Sequence, residues 1–177
     1  MKQLSHYDIQ NNQRKFPITI VCDAIRTPEN IGMCFRVAES FGVSKIYLHK
    51  DSPSIENRIV KKTARNTLAQ IENETYGDFN NLLKELKEEG NVIIGIEITD
   101  KSIDIQDFNF KNHSKIVLLL GSERNGIQNT DIVDTTIAIP MYGRNSSMNV
   151  IHSMTIALYE ATNQLKNKKS VITSETK

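Results

Sequence analysis

Ile116-Val117-Leu118-Leu119-Leu120-Gly121-Ser122-Glu123-Arg124-Asn125-Gly126-Ile127 begins with five consecutive apolar residues and ends in a loop that sets two glycines around a carboxylate. A strand with one wet face alternates apolar and polar residues. An unbroken apolar run fits a strand buried on both faces, as in a parallel sheet. Val92-Ile93-Ile94-Gly95-Ile96 repeats the pattern upstream, and Asp78 to Glu89 lies just before it. That segment puts Phe79, Leu82, Leu83 and Leu86 on one helical face and stops at Gly90. Further out, Ile18 to Cys22 and Lys45 to His49 read as strands. Asn30 to Phe41 has helical apolar spacing (Ile31, Cys34, Phe35, Ala38, Phe41) before Gly42. Ile137 to Ile139 reads as a short strand stopped by Pro140. A long helix is expected from about Ser147 to Leu165, burying Met148, Ile151, Met154 or Thr155, Leu158 and Ala161. Strands alternating with helices predict an α/β fold: a mostly parallel sheet with helices on both faces.

The chain has 177 residues, 38% of them hydrophobic and 24% charged, which suits one core and excludes wholesale disorder. Residues 1–16 read as a short, partly helical extension, 17–166 as one compact domain, and 167–177 as a flexible polar tail. The formal net charge of +1 argues against a generic polybasic nucleic-acid binder. With no Trp and 6% aromatic residues, a broad base-stacking platform is not expected either. Cys22 and Cys34 are the only cysteines and fit buried thiols in a reducing compartment. Residues 1–15 lack the apolar core of a signal peptide, and no run approaches the ~18 apolar residues that span a bilayer. A cytoplasmic protein without membrane contact follows as the expectation. His6, His49, His113 and His152 show no ligand spacing, so no metal is expected.

Three segments combine a strand end, glycine and polar residues. Asn30-Ile31-Gly32-Met33-Cys34-Phe35-Arg36-Val37-Ala38 places Asn30 where a helix cap is favoured and an arginine among apolar neighbours. The strand-end location should aim Arg36 at a pocket. Gly121 to Ile127 is neither a Walker A loop nor GxGxxG, and Glu123 is placed to cap something. In Ile139-Pro140-Met141-Tyr142-Gly143-Arg144-Asn145-Ser146-Ser147-Met148-Asn149-Val150, a strand end, a long glycine-containing loop and a Ser-rich helix start follow one another.

In order and spacing the three resemble the motifs of the SpoU/TrmH family of RNA ribose methyltransferases in the SPOUT superfamily. The first is matched from Asn30 to Gly42, the second from Gly121 to Ile127, and the third from Ile139 to Val150, with Met148 where leucine is usual. The resemblance covers residues 17 to about 165 and implies a C-terminal trefoil knot, which no pattern argument would suggest. It also implies dimerisation through the knot, S-adenosylmethionine as cofactor, and methyl transfer to a ribose 2′-hydroxyl in tRNA or rRNA. By the same resemblance Gly121, Ile139 and Met148 hold the cofactor, helped by Leu120, Pro140, Met141 and Asn149. Aliphatic walls and backbone groups suit adenine, and methionine for leucine conserves volume.

The resemblance gives Arg36 the activation of the hydroxyl. A guanidinium hardly deprotonates, so orienting phosphate and ribose and stabilising a developing alkoxide suit it better than acting as base. Asn30 would position Arg36 or the ribose, and Glu123, Ser147 and Asn149 would shape the site. The run from Asn57 to Asn66 places four cations close together, of which Arg58, Lys61 and Arg65 are candidates for RNA phosphate, joined by Arg124 and Arg144 beside the motifs. Two other readings compete. A non-catalytic RNA-binding relative would be favoured by loss of Arg36 or the Gly121 segment, and both are present. A doubly wound nucleotide-binding enzyme should show a glycine-rich loop after its first strand, where this chain has Asp23-Ala24-Ile25-Arg26-Thr27-Pro28.

Overall fold

The computed structural model describes residues 13–166 together with Gln3 and Asp8. The tail 167–177 and most of the extension 1–16 lie outside the described residues. Seven strands run in chain order: β1 (Ile18–Cys22), β2 (Lys45–His49), β3 (Glu72–Tyr76), β4 (Val92–Ile96), β5 (Ile103–Asp104), β6 (Ile116–Leu120) and β7 (Thr135–Ala138). The helices are α1 (Pro28–Ser40), α2 (Arg58–Ala64), α3 (Phe79–Glu88) and α4 (Val150–Leu165). All strand pairs are parallel, in the order β3-β2-β1-β6-β4-β7-β5.

The two unbroken apolar runs sit side by side, Val92–Ile96 paired with Ile116–Leu120. The period-two rule then divides β6 between two cores. Ile116, Leu118 and Leu120 face a cluster with Ile31, Cys34, Phe35 and Ala38 of α1 and Ile151, Met154, Leu158 and Ala161 of α4. Val117 and Leu119 face the other side, against Leu82, Leu83 and Leu86 of α3. Helices therefore cover both faces, as the composition of the central strands requires. Among the described residues no helix is long and apolar enough to cross a membrane.

Edge strands β3 (Glu-Asn-Glu-Thr-Tyr) and β5 carry no apolar run, which is why sequence reading passes over them. Several boundaries also differ from expectation. Helix α1 begins at Pro28 with Thr27 as its cap, because proline suits the first helical turn; Asn30 lies inside the helix, not at its cap. Helix α4 begins at Val150, not Ser147, since Asn149 supplies the cap by accepting from the Ile151 N–H at 2.9 Å. Met148 therefore precedes the helix and is 37% exposed; the core takes Met154 instead. Cys22 and Cys34 are buried and free, their sulfurs 3.8 Å apart. The Cys34 contact, with burial, pushes the Cys22 thiol well up.

Gly32 is where α1 and α2 touch backbone to backbone. A Cβ there would lie 2.6 Å from Thr63 Cβ and 2.8 Å from the Val60 carbonyl oxygen. Gly to Ala inside a helix ordinarily stabilises by about 1 kcal/mol. Here the sign should reverse: Gly32→Ala is expected to destabilise by about 1–3 kcal/mol, the range for overpacking. Urea denaturation would measure this, and a variant as stable as the parent would refute the tight contact.

Candidate active site

The carboxyl ends of β4, β6 and β7 open onto a cavity of about 500 Å³, where open α/β sheets bind their ligands. Its walls come from the residues just past each strand: Glu97 and Ile98, Gly121 to Ile127, and Ile139 onward. Gly121 permits the loop after β6 to fold back on itself. A Cβ on Gly121 would lie 2.2 Å from the Gly126 carbonyl carbon, and Ser122 and Gly126 exchange two backbone hydrogen bonds of 3.0 Å. Gly126 has φ +60°, a left-handed conformation that glycine adopts without strain.

Glu97 braces this loop. Its carboxylate accepts from the Ile127 N–H and from the Ile98 N–H, both at 3.0 Å. Sequence reading missed it. The available signal was a carboxylate placed directly after a fully apolar strand, where the ends of parallel strands gather.

Glu123 holds the N-terminal end of α1 from 96 residues away. One oxygen accepts from the Arg26 N–H at 3.0 Å; the other accepts from the Thr27 N–H at 3.0 Å and the Asn30 amide at 2.9 Å. Thr27 makes no side-chain cap of its own, so the negative charge at the positive end of the helix comes from the β6 loop. Desolvation pushes the Glu123 carboxyl up. The Arg26 N–H, the Asn30 amide and the Thr27 contact outweigh it and hold the group at about 2. The Asn30 oxygen in turn accepts from the Asn149 amide at 3.2 Å. Glu123, Asn30 and Asn149, one from each motif, thus form a single hydrogen-bonded chain. Asn30 is engaged at both ends and is not free to position Arg36.

Leu120, Gly121, Ile139, Met141, Ser147, Met148 and Asn149 line the cavity, as do Glu123 and Arg124; Pro140 is half-buried but is not among the lining residues. Arg36 does not line it either. Six residues separate it from Asn30, roughly 600° of helix, which turns the two side chains to different faces. Arg36 lies one turn beyond Gly32 on the same side of α1, the flank that carries α2. Arg58 and Lys61 are on α2, Arg65 caps its end, and Lys61 pairs with Glu56. Arg124 and Arg144 are exposed. The Arg36 guanidinium makes no hydrogen bond or ion pair with the described residues. Among those residues no cluster of His, Cys, Asp or Glu is placed to hold a metal ion.

Solved structures share this fold. A TrmH/SpoU tRNA modifying enzyme of A. aeolicus superposes with a TM-score of 0.79 at 24% identity, over 88% of this chain and 79% of that one. AviRb, a SpoU methyltransferase from Streptomyces viridochromogenes in complex with AdoMet, gives 0.78 at 23% identity, over 86% and 62%. The SpoU rRNA Methylase family matches residues 17–159, and the chain belongs to that family. Among relatives, the 23S rRNA (guanosine-2′-O-)-methyltransferase RlmB of Neisseria meningitidis is 32% identical over 92% of this chain and 65% of its own length. The tRNA (guanosine(18)-2′-O)-methyltransferase of Escherichia coli K12 is 26% identical over 88% and 67%. The chain thus spans about two thirds of the length of these relatives.

The Glu123 carboxyl titrates lower in the folded protein than its ordinary 4.5, so its contribution to stability is present above about 4.5 and is lost as pH falls toward 2. Glu123→Gln should be destabilised at pH 7 by roughly 1 kcal/mol, the worth of a partly exposed cap. The difference in urea midpoint between parent and variant should narrow steadily from pH 5 to pH 2. A difference that does not change with pH would show that the charge does not hold α1.

Proposed function

We propose that this protein transfers the methyl group of S-adenosylmethionine to the ribose 2′-hydroxyl of a nucleotide in tRNA or rRNA. The observation that carries this reading is the Glu123–Asn30–Asn149 chain, which draws the three motif segments against one cavity. Membership of the family and the activities of its relatives support it.

The cavity fits the cofactor in size and chemistry. Its volume lies within the range of small-molecule sites, about 300–1,000 Å³. Leu120, Ile137, Ile139 and Met148 give it aliphatic walls for a flat base. Residues 141–147 offer backbone N–H and C=O groups that have no partner among the described residues. We assign cofactor contact to Gly121, Ile139 and Met148, with Leu120, Met141 and Asn149 completing the wall and Pro140 stiffening the chain between Ile139 and Met141. When bound, S-adenosylmethionine would supply an electrophilic methyl for the ribose oxygen, with its thioether product as leaving group and the hydroxyl proton passing to solvent.

The chain's own part is positioning and charge. Glu123 fixes the N-terminal end of α1 beside the cavity, Asn149 fixes that of α4, and Asn30 joins them. Ser147 lines the cavity from an exposed position and shapes its mouth. Arg36, on the flank beside α2 and without a partner among the described residues, holds the RNA phosphate that orients the target ribose. Arg58, Lys61 and Arg65 extend that contact along α2, Arg144 supplies it at the cavity mouth, and Arg124 meets the RNA from the loop after β6.

Three further assignments follow the family. The return from β7 to α4 forms its trefoil knot, residues 17–166 are the catalytic domain, and the protein acts in the cytoplasm. Two copies pair through the knot, an arrangement that would cover Ile156 and the 63%-exposed Tyr159 of α4.

Titration calorimetry is expected to show uptake of S-adenosylmethionine and of its demethylated product. Tritium transfer to RNA from cells lacking the gene should follow. Arg36→Ala should keep cofactor affinity within about twofold and lose about 10²-fold in transfer, as when one charge-stabilising donor is removed. Absence of cofactor binding would overturn the assignment, and near-normal turnover of the variant would overturn the role of Arg36. Sedimentation equilibrium should give twice the chain mass; a monomer at tens of micromolar would remove the dimer.

A further inference from the structure

A second cavity, of about 560 Å³, lies on the other side of the loop after β6. It is lined by Ala24, Arg26, Thr27 and Pro28 from the end of β1 and by Ser122, Glu123, Arg124, Asn125 and Gln128. Residues 122–125 line both cavities, so that stretch is a partition with the cofactor cavity on one side. The sheet order explains the position. From β1 the chain builds outward through β2 and β3, and the remaining strands lie on the other side, beginning with β6. The β1/β6 boundary is therefore the switch point of the sheet, where crevices form beyond the strand ends.

The polar groups of this cavity are of mixed kind. The Asn125 and Gln128 carboxamides and the Arg124 guanidinium make no hydrogen bond among the described residues. Arg26 is by contrast tied back to Asp51, donating to its carbonyl oxygen at 3.1 Å and facing its carboxylate at 3.6 Å. A phosphate only accepts hydrogen bonds, so it would leave the carboxamide oxygens of such a site unused. Two free carboxamides offer donors and acceptors together, and one guanidinium adds a planar fork of donors; these are the groups that read base edges. The Pro28 ring and the Ala24 methyl supply apolar surface for a flat face. Ala24 sits at φ +53°, a left-handed conformation that costs an alanine energy and that gathers at functional sites. Behind the wall lies the buried Asp23 carboxylate, on which the Gln128 backbone acts electrostatically.

We infer that this second cavity receives the base of the nucleotide being methylated, with Gln128, Asn125 and Arg124 reading its edge. The inference rests on the methyl-transfer reading above. A ribose presented to a methyl in the first cavity brings its base within one glycosidic bond of the partition, and a base engaged by protein must leave its stack for an enclosure. The carboxamides and the guanidinium select the base, while the cations of α2 hold phosphates regardless of sequence.

Gln128 is exposed, so Gln128→Phe fills the cavity with little expected change in stability. The full chain would be tested with S-adenosylmethionine and with total tRNA and total rRNA from cells lacking the gene. The variant should bind cofactor within about twofold of the parent, retain RNA on filters within about threefold because phosphate contacts dominate affinity, and lose at least about 50-fold in transfer. Transfer within threefold of the parent overturns the inference while leaving the methyl-transfer reading intact. If the parent itself transfers nothing to either RNA, that reading falls and takes the inference with it. Should Gln128→Phe also weaken cofactor binding, Gln128→Ala decides: an RNA KM raised about tenfold, the loss of one base-edge contact, supports the inference, and an unchanged KM overturns it.

Discussion

The Glu123 carboxylate has acceptor capacity that its own loop does not fill, while the first N–H groups at the start of α1 have no carbonyl partner within their helix. Each deficit meets the other across 96 residues of sequence, and the rest of the site follows from that meeting. With the N-terminal end of α1 fixed against the β6 loop, Asn30 in its first turn is carried to where Asn149 can reach it, and Asn149 is the cap of α4. One negative charge thus sets the relative positions of two helices and one strand end. The arrangement suits a charge at that place, because the aligned dipoles of α1 and three N–H donors favour the ionised form over the protonated one.

Close backbone packing is the second constraint. Gly121 lets the β6 loop fold back within van der Waals range of itself, and Gly32 lets α2 lie directly on α1. Both exclude a side chain in order to bring two backbones together. The outcome is a thin partition, residues 122–125, with a cavity on either side and Glu97 bracing its far end. A loop held at both ends by carboxylates and doubled by backbone hydrogen bonds is a preorganised wall, and chemistry that depends on in-line positioning of two reactants needs such a wall.

The central architecture was legible in the amino-acid order. Ile116–Leu120 and Val92–Ile96 are apolar without interruption because both faces are covered, and they pair as neighbours. The Asp78–Glu89 segment is one helix whose apolar face meets the sheet. Edge strands β3 and β5 were not legible, since a strand exposed at the rim needs no apolar run. Helix starts were misplaced by one to three residues, where proline and the asparagine cap competed with serine and asparagine as signals. The expected aim of Arg36 at the pocket was not met, because direction depends on the turn of the helix relative to its neighbours.

By itself the sequence determined the class of fold, the covered faces of the sheet and the three segments that carry chemistry. These are local properties: apolar period, turn residues and spacing act within a few residues of one another. Only the tertiary structure decided which groups meet. The pairing of Glu123 with the start of α1, the bracing of the partition by Glu97, the packing of α2 on the flank of α1 that carries Arg36 and the second cavity at the β1/β6 switch point all join residues distant in sequence. Such contacts are set by how the elements pack, and the packing is fixed by the two buried faces of the sheet together.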